Sequence, residues 1–541
     1  GQAWFDDVQV TATDQPVTTA TELRRAELAV DLLPPPAAGA GAAGAGAAGA
    51  EAGMAAARGL AGGVAKALDL AQARIHVASD ADVVTLGAAK ELGGLLARVT
   101  GGSYLPLSPP AAPQPGRLIL VGREASLASG IDWAALGDDG FVIRSQGQHL
   151  LLAGATPRGT LYAVYWFLDR VVGVRWFAPD STVVPNRPGL VVGPLDERHV
   201  PRFAYREVLS AEGQQKPYKA HNLLNGDSHG PSFLPTPPEI DVFLRDWQNK
   251  GGYANFFELL PPDRYQKEHP DWYAGGQLAM MNPGMRAAMA RVVVERLRAH
   301  ADYRRIWFNL HDMDWGWDMD PASAAFAQQH GGHPSAPRLD MVIDVADRVR
   351  RELPGARLAF NAYHWSFTPP TGMTVPDYVL VFPMTIHVDY STALNVGRNQ
   401  ALGRDLAGWA AAARTVQVWD HITNWSGFLQ PTPNLYPIAR SIAWLATLPS
   451  VRGYFAEGSW DTPGAEFAVL RVWLIARLLW EPNLDADALV AEFCGGYYGP
   501  QAGPLVKQAI DLLHQRAAVS GDVLGEKANV DLKLFDRDTM L

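Results

Sequence analysis

From Phe203 onward the chain repeats one pattern: a short apolar run of strand length that stops abruptly on acids and aromatics. Ile306-Trp307-Phe308-Asn309-Leu310 leads into His311-Asp312-Met313-Asp314-Trp315-Gly316-Trp317-Asp318. Residues 358–362 lead into Tyr363-His364-Trp365, 416–418 into Trp419-Asp420-His421, and 453–456 into Glu457, with Trp460 and Asp461 behind. Helical stretches separate these runs, which is the alternation of a parallel sheet built from βα units. In such sheets chemistry gathers at the C-terminal strand ends. Strands are predicted at 203–209, 253–259, 277–281, 306–310, 358–362, 378–382, 416–418 and 453–456, enough for a (β/α)8, TIM-like barrel over 201–460. Amphipathic helices at 466–480 and 487–493 follow within a C-terminal region 461–541, whose last part, from Ser520, has no strong pattern.

A separate α/β module is expected over 64–200. Strands are read at 74–77 and 117–122, a hairpin at 141–144 and 150–154, and a helix at 82–99. Thr156-Pro157-Arg158-Gly159 opens another helix, with proline in its first turn. Gly154, Gly159 and Gly173 have no dinucleotide-binding spacing and read as turn residues. Residues 34–63, nearly all Ala, Gly and Pro, predict a linker. Residues 1–33 hold an alternating strand, 3–10, which is either the end of a truncated carbohydrate-binding β-sandwich or a terminal strand docked on the next unit.

Composition excludes several classes. A formal net charge of −10 with no basic run argues against nucleic acid as a partner. One cysteine, Cys494, excludes a disulfide framework and a cysteine zinc cluster, and no apolar run has the length of a membrane span. The chain begins Gly1-Gln2-Ala3 with neither methionine nor signal peptide and reads as a fragment or processed chain. Scarcity of cysteine fits a secreted or periplasmic setting.

Two sets of motifs carry a resemblance. Arg158-Gly159-Thr160-Leu161-Tyr162-Ala163 and Val174-Arg175-Trp176-Phe177-Ala178-Pro179 resemble the non-catalytic α/β domain that precedes the barrel in α-glucuronidases and β-hexosaminidases. Asn225-Gly226-Asp227-Ser228-His229-Gly230, Glu268-His269-Pro270-Asp271-Trp272-Tyr273, Asn282-Pro283, Pro433-Asn434-Leu435 and Leu478-Leu479-Trp480-Glu481-Pro482 resemble a bacterial glycoside-hydrolase-like family, domain of unknown function 4838. Its domain order is similar to that of α-glucuronidases (glycoside hydrolase family 67). Its fourth-strand motif commonly reads Asn-Asp followed by cysteines, where this chain has His311-Asp312 and then Trp315, Trp317 and Asp318.

The expected chemistry is glycoside hydrolysis of a bacterial or plant polysaccharide or oligosaccharide, which needs two carboxyl groups across the scissile bond, one protonated and one ionised. Asp312 is the first candidate for the acid, because it directly follows the fourth strand, and Asp314 could share a proton with it. For the second carboxylate, the residues favour Glu457 and the resemblance favours Asp389 and Asp420, because α-glucuronidases carry their base carboxylates after the sixth and seventh strands. Trp315, Trp365, Trp419, Trp425 and Trp460 are candidate sugar platforms. Asn225, Asp227, His229, His311, Tyr363 and His364 are candidate hydroxyl-binding residues. Arg206 is either a clamp for a uronic carboxylate, the α-glucuronidase-like variant, or a structural ion pair.

No cofactor is expected, and the spacings of His221, Asp227, His229 and His269 match no helix-borne zinc motif. No Gly-X-Ser-X-Gly elbow is present. Two rivals stand beside the hydrolase: a non-catalytic carbohydrate-binding protein on a barrel scaffold, and a polysaccharide lyase using Tyr363 or His364 as base.

Overall fold

A computed structural model describes residues 67–104, 117–125, 130–226, 241–242, 254–299, 306–528 and 532–535. The terminal strand and linker expected over 1–63, and the candidates Asp227 and His229, lie outside them.

The N-terminal part is a five-stranded sheet. β1 (Ala73–Val77) pairs in parallel with β2 (Arg117–Val121), and β2 with β4 (His149–Gly154); β4 forms a hairpin with β3 (Phe141–Gln146), which pairs antiparallel with β5 (Asp196–His199). Helix α1 (Val83–Thr100) starts where the Asp82 carboxylate accepts from the amides of Val84 and Thr85 at 2.8 and 3.0 Å. Helix α2 (Pro157–Trp166) starts with Thr156 Oγ1 capping the Gly159 amide. Gly154 and Gly159 are more than turn residues. A Cβ on Gly154 would stand 2.3 Å from the Gly159 carbonyl carbon, so the pair lets strand β4 and helix α2 touch backbone to backbone.

The larger sheet has seven parallel strands in the order β6-β12-β11-β10-β9-β8-β7. They are β6 (Tyr205–Leu209), β7 (Asp241–Val242), β8 (Ile306–Leu310), β9 (Arg357–Ala362), β10 (Val379–Pro383), β11 (Val416–His421) and β12 (Val451–Glu457). Register aligns the tips: Leu209 sits opposite Glu457, and Glu457 opposite His421. Side chains alternate between two buried faces, as in a parallel sheet covered on both sides. Tyr205, Leu209, Trp307, Ala359, Tyr363, Leu380, Phe382, Trp419 and Phe455 pack on the inner face. Val208, Phe308, Leu358, Phe360, Val381, Val418 and Tyr454 belong to the core shared with the helices.

Among those helices, α3 (Pro283–Arg298) is capped by Asn282, and α4 (Ser335–Glu352) buries Leu339, Val342, Val345 and Val349 on one stripe. Helices α5 (Gln400–Ala412) and α6 (Leu435–Leu445) precede β11 and β12. α7 (Ala468–Trp480), α8 (Ala486–Tyr497) and α9 (Gly499–Ser520) follow the sheet, α7 packing on β6.

Two expected strands are corrected. Phe256–Leu259, within the predicted 253–259, is a helical turn, and Gln277–Leu278 pairs antiparallel with Tyr273–Ala274 in a hairpin apart from the main sheet. Asp241–Val242, passed over in the sequence, holds the edge beside β8. Beyond α9 the segment from Ser520, read in the sequence as a partial further element or tail, turns back across the strand tips.

Candidate active site

A cavity of about 740 Å³ opens at the C-terminal ends of β9 to β12. Its acids are Asp314, Asp389, Glu457 and Glu526; its aromatics include Tyr363, Trp419, Trp425 and Trp460; and His364, His387, His421, Arg398 and Lys527 complete its polar wall.

Strand alternation decides which tip residues reach it. On β11, Trp419 and His421 face the cavity, while the intervening Asp420 points to the helix side. There Asp420 accepts from Thr385 Oγ1 at 2.6 Å and from the Tyr454 hydroxyl at 2.5 Å. Burial raises its pKa, and those two bonds oppose the rise. The expectation that Asp420 is a catalytic base is therefore corrected: it is a buried brace between strands.

Glu457 is placed differently. Trp419 Nε1 donates to Glu457 Oε2 at 2.5 Å, and His421 Nε2 lies 3.0 Å from the same oxygen. Burial works against a charged His421, but Glu457 overcomes it and raises the imidazole pKa above its ordinary 6.5. The indole N–H and the imidazole together fix the orientation of the Glu457 carboxylate at the cavity wall.

Asp312 does not line the cavity. It is fully buried, with Oδ1 2.8 Å from Nη2 of an equally buried Arg338 on α4. Arg338 also donates to the carbonyls of Leu310 and Asn361 and to Ser366 Oγ. Burial pushes the Asp312 carboxyl up to about 6 against the pull of Arg338. The general-acid assignment is corrected to an internal ion pair that ties β8 to α4. Asp314, two residues on, is exposed and lines the cavity near His364.

Asp389 borders the cavity, but its carboxylate accepts from Ser391 N and Oγ at 3.0 and 2.7 Å and from Arg398 Nη1 at 3.1 Å. These bonds organise the loop after β10 at the edge of the cavity.

The candidate sugar-binding residues divide. Tyr363, His364, Trp419 and Trp460 line the cavity. His364 and Trp460 have positive φ, 45° and 56°, backbone conformations that cost about 1–3 kcal/mol each and collect at functional sites. His364 Nδ1 lies 2.9 Å from His387 Nε2, and burial and that neighbour lower the His364 pKa.

Trp315 and Trp365 fall outside the lining: Trp315 Nε1 donates to the Gly276 carbonyl at 2.7 Å, and Trp365 packs 5.0 Å from Trp317. His311 is buried, with Nδ1 accepting from the Ala254 amide at 2.8 Å, and burial depresses its pKa strongly. Arg206 and Asn225 lie on the module side, where both donate to Asp139 Oδ2, at 2.6 and 2.7 Å. Arg206 is thus the structural ion pair and not the uronate clamp.

The sequence reading missed His421, His387, Arg398, Glu526 and Lys527 as site residues. Period-two alternation from Trp419 would have found His421. Glu526 and Lys527 lie in the segment without hydrophobic pattern. Cys494 is buried away from the cavity, its thiol pushed up to about 11 by burial, a poor nucleophile. Among the described residues, no group of three or more His, Cys, Asp or Glu is placed to hold a metal ion, and no helix is long and apolar enough to cross a membrane.

Residues 176–511 match the family model described as domain of unknown function (DUF4838). The chain belongs to that family. No curated protein matches this family member's sequence. Among solved structures it is similar to a family GH115 4-O-methyl-α-glucuronidase with specificity for decorated arabinogalactans, at 12% identity over 86% of this chain and a TM-score of 0.48. The match covers 65% of the glucuronidase. A Streptomyces plicatus β-hexosaminidase is similar at 13% identity, over 82% of this chain and 93% of that one, with a TM-score of 0.43. A GH138 enzyme targeting pectin rhamnogalacturonan II is similar at 9% identity, over 82% of this chain and 56% of that one, with a TM-score of 0.45.

Proposed function

We propose that the chain is a glycoside hydrolase acting on a bacterial or plant polysaccharide or oligosaccharide. One observation carries the reading: carboxylates from different strand tips, Asp314 after β8 and Glu457 on β12, line one cavity whose walls hold Trp419, Trp425, Trp460 and Tyr363. Flat aromatics suit the apolar faces of sugar rings, and paired carboxyls suit acid–base cleavage. Glu457, held by Trp419 Nε1 and beside His421 Nε2, acts as base or nucleophile. Asp314 takes the proton-donor role, because Asp312 is held by Arg338. An acidic sugar, the α-glucuronidase-like variant, would pair with Lys527 at the cavity wall.

The reading includes a closed (β/α)8 barrel over 201–460, braced by the α/β module over 64–200 and followed by helices from 461, and a secreted or periplasmic setting. The pairing of β6 with β12 supports closure, because a barrel seats its first strand beside its last.

Asp314→Asn should lower cleavage of a natural oligosaccharide by roughly 10²–10⁴-fold and spare an aryl glycoside with an activated leaving group, which needs little proton assistance. Glu457→Gln should cripple both. Wild-type rates for both variants would sink the assignment. The cavity positions of Tyr363 and His364 keep the lyase in view, and an unsaturated product absorbing in the near ultraviolet would establish it.

A further inference from the structure

The segment beyond α9 crosses the mouth of the cavity as a strap with a built seat. Leu524 is its buried anchor. Its carbonyl accepts from the Tyr390 amide at 2.8 Å, and its amide donates to Asp389 Oδ1 at 3.3 Å. Arg398 donates to the carbonyls of Asp522 and Gly521 at 2.7 and 3.0 Å while holding Asp389 on its other side. Two residues past Leu524, the Trp425 amide donates to the Glu526 carbonyl at 2.6 Å, and Asn424 Nδ2 reaches the Ala528 carbonyl at 2.9 Å. The loops after β10 and β11 thus grip a stretch that has no hydrophobic pattern of its own, with Asp389 and Arg398 at the cavity border forming part of the grip.

This grip presents one acid. The Glu526 side chain is 16% exposed, forms part of the cavity wall, and meets Lys527 Nζ only at 4.0 Å. Its charge is felt by His421, on which Glu457 also acts. We propose that Glu526 is a substrate-positioning residue, accepting hydrogen bonds from sugar hydroxyls beside Glu457, and that the strap is the element that sets which sugar is held. The proposal rests on the glycoside-hydrolase reading. An ionised carboxylate is an acceptor with two oxygens, able to bridge adjacent hydroxyls, and hydrogen bonds to charged groups are stronger than neutral ones.

The test uses Glu526→Gln, an isosteric change, with 4-nitrophenyl glycosides of neutral, N-acetylamino and uronic sugars, and tryptophan fluorescence titrations with the corresponding free sugars. On the glycoside that wild type cleaves, Glu526→Gln should raise KM and the sugar Kd about 10- to 100-fold, with kcat changed less than about threefold. Arg398→Met should shift KM in the same direction and speed hydrogen exchange of the amides at 521–528. An unchanged KM in Glu526→Gln, with Glu457→Gln inactive, would overturn the positioning role and leave the hydrolase reading standing. A collapse of kcat at constant KM would overturn it too, by moving Glu526 into the chemistry. Wild type that neither cleaves nor binds any of these sugars would remove both the hydrolase reading and this one.

Discussion

Asp312 and Glu457 are strand-tip carboxylates whose partners differ in kind. Asp312 faces a guanidinium with no access to solvent, whereas Glu457 is shared between an indole, an imidazole and the cavity. Removing one member of a buried pair leaves the other charge uncompensated, at a cost of about 3–5 kcal/mol. Asp312→Ala should therefore lower stability by about that amount in denaturant unfolding, and Asp312→Leu with Arg338→Met should recover most of it. Full stability with lost turnover would return Asp312 to the mechanism. His421 gives a second prediction. Its folded pKa is raised above 6.5, so its pairing with Glu457 contributes fully below 6.5 and is lost as pH rises through the folded value. Thermal melting should accordingly separate wild type from Glu457→Gln more at pH 6 than at pH 8. A constant separation would mean that the imidazole is neutral throughout.

The contact of β4 with α2 depends on two missing side chains. Gly154→Ala would drive a methyl into the Gly159 backbone, and overpacking of this kind costs about 1–3 kcal/mol. A matching drop in Tm, with KM unchanged, is expected; no drop would mean that α2 can slide. Elements were legible where apolar runs met abrupt polar stops: β8, β9, β11 and β12 all fall where the runs predicted them. Phe256–Leu259 misled because a run this short, Phe-Phe-Glu-Leu, carries no period that separates helix from strand. Asp312 and Asp420 were visible as tip acids, but one face of a strand cannot be told from the other until a neighbour fixes the alternation. The strap was illegible for a stronger reason. Its structure is written in long-range hydrogen bonds, such as Leu524 to Asp389 across 135 positions, which leave no local pattern.

Two buried ionic knots join the α/β module to the rest of the molecule. In one, Asp169 takes both Nη atoms of Arg477 on α7, at 2.8 and 2.9 Å. Burial alone would raise its pKa, but Arg477 and Arg175 hold it well below the usual carboxylate range. A depressed pKa stabilises the fold above about pH 4 and is lost as pH falls toward the folded value. The melting difference between wild type and Asp169→Asn should thus be largest near neutrality and shrink below pH 4, and calorimetry of the variant should resolve a module transition ahead of the main one. A single transition in the variant would show that apolar packing alone couples the two parts. In the other knot, Asp139 receives Arg158 from its own module and Arg206 from β6. Chains fold from the N-terminus as they are synthesised, so the module leaves the ribosome first and carries a preformed counter-ion. The opening strand of the main sheet then buries its guanidinium against a carboxylate synthesised before it, so the order of synthesis matches the order in which this ion pair needs its partners.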